Sequence, residues 1–204
     1  MKDYKKVAIT CLAFLMLFSV GCGSSTPSAP SSQQSTSTQQ QQKPEQPSVK
    51  VYKSGHYKVG TDIPAGEYVG LSKGDAYIEV AKDSKGTLDS IIANDIFTNR
   101  TIITVSNGQY IKTQGCDLYA FKDAPKVQSK DGFLLAGMYK VGVDLPAGEY
   151  KVVSERGDSY IEVSSGSAHI LDEIISNDLF QGERYIEVSD GQYLKTAGAK
   201  IKLK

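Results

Sequence analysis

The chain predicts an all-β fold: two tandem small antiparallel β-sandwich or barrel-like repeats, set after a signal peptide and a disordered linker. Three observations carry this. The first is duplication. Gly55 to Ser72 reads GHYKVGTDIPAGEYVGLS and Gly137 to Ser154 reads GMYKVGVDLPAGEYKVVS. After one extra residue in the second copy, Gly74 to Phe121 aligns with Gly157 to Lys204, and more than half of the aligned positions are identical. A period of about 82 residues is too long for a solenoid unit and suits a small domain. The second observation is apolar alternation at every other residue, the period of a half-buried strand. The third is dense turn punctuation, at the spacing of a small sandwich or barrel.

Taken in order, Ile63-Pro64-Ala65-Gly66 suits a type I turn, and Glu67 to Leu71 follows it as a strand. Ala76-Tyr77-Ile78-Glu79-Val80 alternates, as does Ile161-Glu162-Val163. Leu88, Ile91, Ile92 and Ile96, repeated as Leu171, Ile174, Ile175 and Leu179, fit a helical face. Their β-branched isoleucines favour strand, and Asn94-Asp95 and Asn177-Asp178 interrupt the run. The reading is strand, turn, strand, with a single helical turn as the alternative. Ile103 and Val105 mark the next strand, with Ile186 and Val188 as counterparts. Asn107-Gly108 and Asp190-Gly191 are hairpin signals, and Tyr110 and Tyr193 open the return strands. The segments are then 51–123 for the first repeat, 124–130 for a linker around Pro125, and 131–204 for the second repeat. Domains of this size bury a modest fraction of their surface, which favours contact between the copies.

Ahead of the repeats, a basic opening from Met1 to Lys6 precedes an uninterrupted apolar run from Val7 to Val20. Such a run with small residues at its end describes a signal peptide, here residues 1–21. It falls short of the ~20 residues that span a bilayer. The stretch LFSVGCGSS around Cys22 resembles the lipobox of bacterial prolipoproteins, with Ser19 standing where that family has an aliphatic residue. The resemblance implies a diacylglyceryl group on the Cys22 thiol, cleavage before it, and lipid anchoring of the chain on the outer face of the cell membrane. Cys11 would leave with the peptide. Residues 22–50 then form a tether. Ser24 to Ser48 holds Ser, Thr, Gln and Pro with no large apolar side chain, and such a segment cannot offset its ordering entropy.

Composition excludes several classes of function. Lys and Arg balance Asp and Glu at 23 each, and loss of the basic leader leaves a slightly acidic chain. That offers no field for nucleic acid and little attraction to an anionic lipid surface. Beyond Cys22 the mature chain keeps only Cys116, so no intrachain disulfide framework forms.

The repeat resembles a module of secreted and lipid-anchored proteins of Gram-positive bacteria, with a YxVGxDIPAGEY core followed by IIxND and a DGQY-like hairpin. The resemblance covers nearly all of Gly55 to Lys204 and implies no defined activity. Related versions carry a cysteine near Cys116 with an earlier partner; this chain lacks that partner, and Ala199 stands at the corresponding place in the second copy.

No catalytic constellation or cofactor site is expected. His56 aligns with Met138 and His169 with Gly86, so neither histidine recurs. Recurring carboxylates (Asp62 and Glu67 with Asp144 and Glu149, Asp75 with Asp158, Asp95 with Asp178) are spaced as turn punctuation rather than as the packed oxygen ligands calcium takes. Tyr57, Tyr68, Tyr77 and Tyr110 recur as Tyr139, Tyr150, Tyr160 and Tyr193. Together they are the candidate binding face, since tyrosine offers area with a polar tip; core packing in strands is the more ordinary explanation. The function expected is a non-enzymatic surface module, anchored through its lipid, that binds a wall polymer, a glycan or a surface protein. The alternatives are a hydrolase using paired carboxylates such as Glu79 and Glu162 or Asp75 and Asp158, and a passive structural lipoprotein.

Overall fold

The computed structural model describes residues 49–204. The signal peptide, the lipidation site Cys22 and the tether as far as Ser48 lie outside the described residues. The fold is all-β, and its fourteen strands fall into two matching sets. The first set is β1 (Val51–Tyr52), β2 (Gly55–Lys58), β3 (Gly66–Ala81), β4 (Ile91–Phe97), β5 (Arg100–Val105) and β6 (Tyr110–Ala120). The second is β7 (Phe133–Leu134), β8 (Gly137–Lys140), β9 (Gly148–Ser154), β10 (Ser159–Ser164), β11 (Ile174–Phe180), β12 (Glu183–Val188), β13 (Tyr193–Ala197) and β14 (Ala199–Lys202).

The extra strands of the second set arise by division. β3 and β6 pair along their length with a register shift between Ser72 and Tyr77. The early half of β3 pairs with β5, the late half with β4. In the second copy the same two long strands are cut, β3 into β9 and β10, β6 into β13 and β14. Each repeat is therefore two four-stranded layers, which in the first share the long central strands β3 and β6 and in the second take one piece of each cut strand apiece. The orders are β4-β3-β6-β2 over β5-β3-β6-β1, then β11-β10-β13-β8 over β12-β9-β14-β7. Gly115 and Gly198 mark the corner where the strand changes layer, at φ +74° and +68°. A Cβ on Gly115 would come within 2.9 Å of the Asp75 carbonyl oxygen, so glycine suits this sharp bend.

Between the layers lie separate apolar cores. The first holds Ile78, Ile103, Ile111 and Leu118, the second Ile161, Val152, Leu194 and Ile201. A smaller cluster of Ile102, Met138 and Tyr193, with Phe121 against it, joins the repeats. The copies thus pack together, and Glu45–Lys204 forms one compact unit with every described core inside it. A single parallel bridge, Arg100 to Gly137, links β5 to β8 and runs ten strands into one sheet. The connection after Phe121 is not free either, since Val127 packs on the second core.

The expected strand, turn, strand does not form: the alternative, a single helical turn, opens the segment and one unbroken strand follows it. Leu88–Ser90 and Leu171–Glu173 are single 3-10 turns, and the strands β4 and β11 follow at once. Asn94-Asp95 and Asn177-Asp178 do not break the run but sit inside these strands. On β4 the alternation explains why: Ala93, Asp95 and Phe97 point inward while Ile92, Asn94 and Ile96 face out. The Asn-Gly hairpin is present, but only Gly108 takes a positive φ, +87°. The turn is closed by Gln109, whose side-chain oxygen accepts from the Ser106 amide at 2.7 Å, and Gln192 does the same for Ser189.

Candidate functional site

The recurring tyrosines serve chiefly as fasteners. Tyr68 and Tyr150 are buried and donate to the Pro64 and Pro146 carbonyls, at 2.6 and 2.7 Å. Tyr57 and Tyr139 donate to Lys53 and Leu135, again four residues back. Burial pushes the Tyr68 and Tyr139 phenols up to about 12, which keeps them protonated donors. Tyr77 and Tyr160 donate to the carboxylates of Glu79 and Glu162, two residues on. Tyr193 is buried between the repeats, while its counterpart Tyr110 is half-buried with the Lys58 ammonium over its ring. The eight do not share one exposed face. Each such net hydrogen bond contributes about 1 kcal/mol, so the YxVGxDxPAGEY core spells a turn and its clasp. Asp62 and Asp144 complete that clasp by accepting the Lys58 and Lys140 amides, at 2.8 and 2.9 Å.

Glu79 and Glu162 lie in different repeats, each held by its own tyrosine. Asp158 accepts from Gln181 at 2.7 Å, and Asp75 is exposed. Among the described residues no group of three or more His, Cys, Asp or Glu side chains is placed to hold a metal ion, and no helix is long and apolar enough to cross a membrane. Cys116 is buried, and burial pushes its thiol up to about 11, far from the thiolate a nucleophile needs.

What the sequence reading missed is the junction between the copies. The outward side chains of β5 (Arg100, Ile102 and Thr104) meet β8, β13 and the loop before β11. Arg100 Nη2 donates to both carboxylate oxygens of Asp144 at 3.0 Å, and both side chains are buried. Glu67 accepts from Lys140 Nζ at 2.9 Å, Ser167 Oγ at 3.1 Å and the Tyr193 hydroxyl. Asp95 accepts from Lys195 Nζ at 2.7 Å and Thr101 Oγ1 at 3.0 Å. His169 donates from Nε2 to the Ile102 carbonyl at 2.7 Å. Its burial, followed by the nearby Lys195 ammonium, lowers its pKa below the ordinary 6.5, so the ring is held neutral. Ile102 and Met138 are almost wholly excluded from solvent beneath these pairs. Gly137 admits the approach, because a Cβ there would lie 2.8 Å from the Arg100 carbonyl oxygen.

The same surface on the second repeat is open. β12 carries Glu183, Tyr185 and Glu187 outward, where β5 carries Arg100, Ile102 and Thr104. Ile102 is 0% exposed and Tyr185 62%. Beside Tyr185 a groove of about 280 Å³ runs between β10, β11 and β12, floored by Ile161, Val163 and Ile186. Arg184 closes one side by donating from Nε to Asp178 at 2.9 Å. Each of these positions has its counterpart in the first repeat, Asp178 answering Asp95 and Arg184 answering Thr101, where Lys195 and His169 of the second repeat fill the space. The equivalent space in the first repeat is thus filled from within the same chain, and among the described residues this groove is open. A sequence signal existed: Arg100-Thr101-Ile102 stands against Glu183-Arg184-Tyr185, with no position shared and a charge reversed.

Residues 49–120 match the family model described as Rv1352-like extracellular domain. The match begins just before β1 and ends at the last residue of β6, so it covers the first structural repeat. It supports an extracytoplasmic placement for this part of the chain. No curated protein and no solved structure matches the chain.

Proposed function

We propose that this is a lipid-anchored surface protein whose paired β-repeats form a non-enzymatic binding module, tethered through Cys22 and presenting the open β11–β12 face of the second repeat to a protein partner. The observation that carries the reading is the pairing of an occupied groove with a vacant equivalent. In the first repeat this surface accepts a β-layer bearing a lysine, a methionine and a tyrosine; the second offers the same architecture with an exposed Tyr185 between Glu183 and Glu187. An exposed aromatic beside an apolar floor and charged walls is what a protein hot spot requires. The resemblance of LFSVGCGSS to a lipobox and the extracellular family match support the location.

The test is capture of surface proteins, wall polymer and glycan on immobilised residues 45–204, in parallel with a Tyr185→Asp variant. Saturable binding of a protein that the variant loses supports the reading. Equal capture by both chains, or capture of polysaccharide alone, overturns it. Mass spectrometry of membrane-extracted protein, showing Cys22 as a diacylglyceryl N-terminus, tests the anchor separately.

A further inference from the structure

We infer that the partner of the open groove is a second copy of this chain, docking through the first repeat's equivalent of the β8–β13 face, so that molecules associate head to tail. The inference rests on the reading of that groove as a protein-binding surface.

Two repeats in sequence with one kind of joint leave one socket and one plug unused. The used plug is Met138, Lys140, Tyr193 and Lys195 with Asp144 beside them. Its counterpart on the first repeat is His56, Lys58, Tyr110 and Lys112 with Asp62. His56 and Lys58 are exposed and Tyr110 and Lys112 half-buried, so among the described residues nothing covers this face. Its backbone matches as well: Asp62 holds the Lys58 amide just as Asp144 holds that of Lys140. Gly55 stands where Gly137 lets the backbones touch, although within the chain a Cβ at Gly55 would meet only the flexible ring of Tyr57.

The charges complement. Within the chain Glu67 takes Lys140 and Tyr193, and Asp95 takes Lys195. Between chains the equivalents are Glu149 with Lys58 and Tyr110, and Asp178 with Lys112. Each pairs an acid with a base. Tyr185 then meets His56 where Ile102 meets Met138. One pair alone reverses: Arg100–Asp144 becomes Glu183, which within the chain holds Lys151 at 2.6 Å, opposite Asp62, an acid facing an acid. The association is consequently weaker than the internal joint and reversible. Because socket and plug are different surfaces, the contact is heterologous and builds open chains rather than closed dimers. Exposed pairs of this type are screened by salt, so dilute salt strengthens the contact.

Sedimentation velocity of residues 45–204 over a concentration series is the test. The expected result is a concentration-dependent rise in mean sedimentation coefficient that salt suppresses. Glu183→Arg together with Lys151→Glu keeps the pair within the chain while supplying the missing pair between chains, and is expected to tighten association about tenfold, the scale of one good charge pair. Lys58→Glu and Glu149→Lys each abolish it, and the two reversals on one chain restore it. Lys58, Glu149 and Glu183 are exposed and Lys151 half-buried, so the fold survives. Strict monomers for both the natural chain and the chain carrying Glu183→Arg with Lys151→Glu, or reversal variants that associate like the natural chain, overturn the inference. If the chain stays monomeric while Tyr185-dependent capture of another surface protein persists, the self-association fails and the binding function stands; loss of both removes both.

Discussion

Ile102 and Tyr185 occupy the same place in the two copies and meet opposite surroundings. Around Ile102 the chain has assembled Arg100, Asp95 and Glu67 against Asp144, Lys195 and Lys140, with a neutral His169 as a lid on the carbonyl. Around Tyr185 the same backbone carries Glu183, Arg184 and Glu187 in water. The difference teaches that the same backbone carries two different surfaces: Arg100, Thr101 and Ile102 are buried at the neighbouring repeat, and Glu183, Arg184 and Tyr185 face water.

The comparison breaks most visibly at the acids. Asp95→Ala strands the Lys195 ammonium with only 15% of its side chain exposed, and losing one partner of a buried pair costs about 3–5 kcal/mol. Asp178→Ala removes an exposed bridge and is expected to cost no more than about 1 kcal/mol. Urea unfolding of the two variants side by side checks this; equal losses would contradict the junction described above. Next in size, Ile102→Ala leaves a cavity against Met138, with an expected loss of about 2–5 kcal/mol, whereas Tyr185→Ala stays within about 0.5 kcal/mol. Where the copies agree, the effects should agree: Tyr68→Phe and Tyr150→Phe each lose one clasp, about 1 kcal/mol apiece, in thermal melts.

The smallest effect sharpens the asymmetry through pH. His169 is neutral in the fold because its pKa is lowered, chiefly by burial and then by Lys195. Below its ordinary value of about 6.5 the unfolded chain takes up a proton that the folded one refuses, so stability falls as pH drops. Denaturant midpoints measured between about pH 5 and 7 should show this slope in the natural chain and a flatter one in His169→Gln. Gly86, its counterpart, has no such group to contribute.

Much of this architecture was legible in the residues. Alternation in Ala76 to Val80 and the turns at Gly108 and Gly191 point to antiparallel strands, and the duplication points to two equivalent units. Asn94-Asp95 misled because turn preference is local, while Asp95 is held in mid-strand by Thr101 and by Lys195 from the other copy. The tyrosines misled because a strand tyrosine has the same spacing whether its ring lies in a core or on a surface; only the carbonyl four residues back distinguishes them. The junction was hidden for a different reason. Alignment treats Ile102 and Tyr185 as one apolar residue replaced by another, and burial across copies is a property of the assembled surfaces.

Cys116 gives this protein an internal clock. From residue 45 onward it is the sole sulfhydryl, it lies 4% exposed in the first core, and the second core has Ala199 in its place. Alkylation of that sulfur by a small reagent therefore waits for the first half to breathe and is blind to the second. Its rate would time the loosening of one half while the other goes unseen, with no label added.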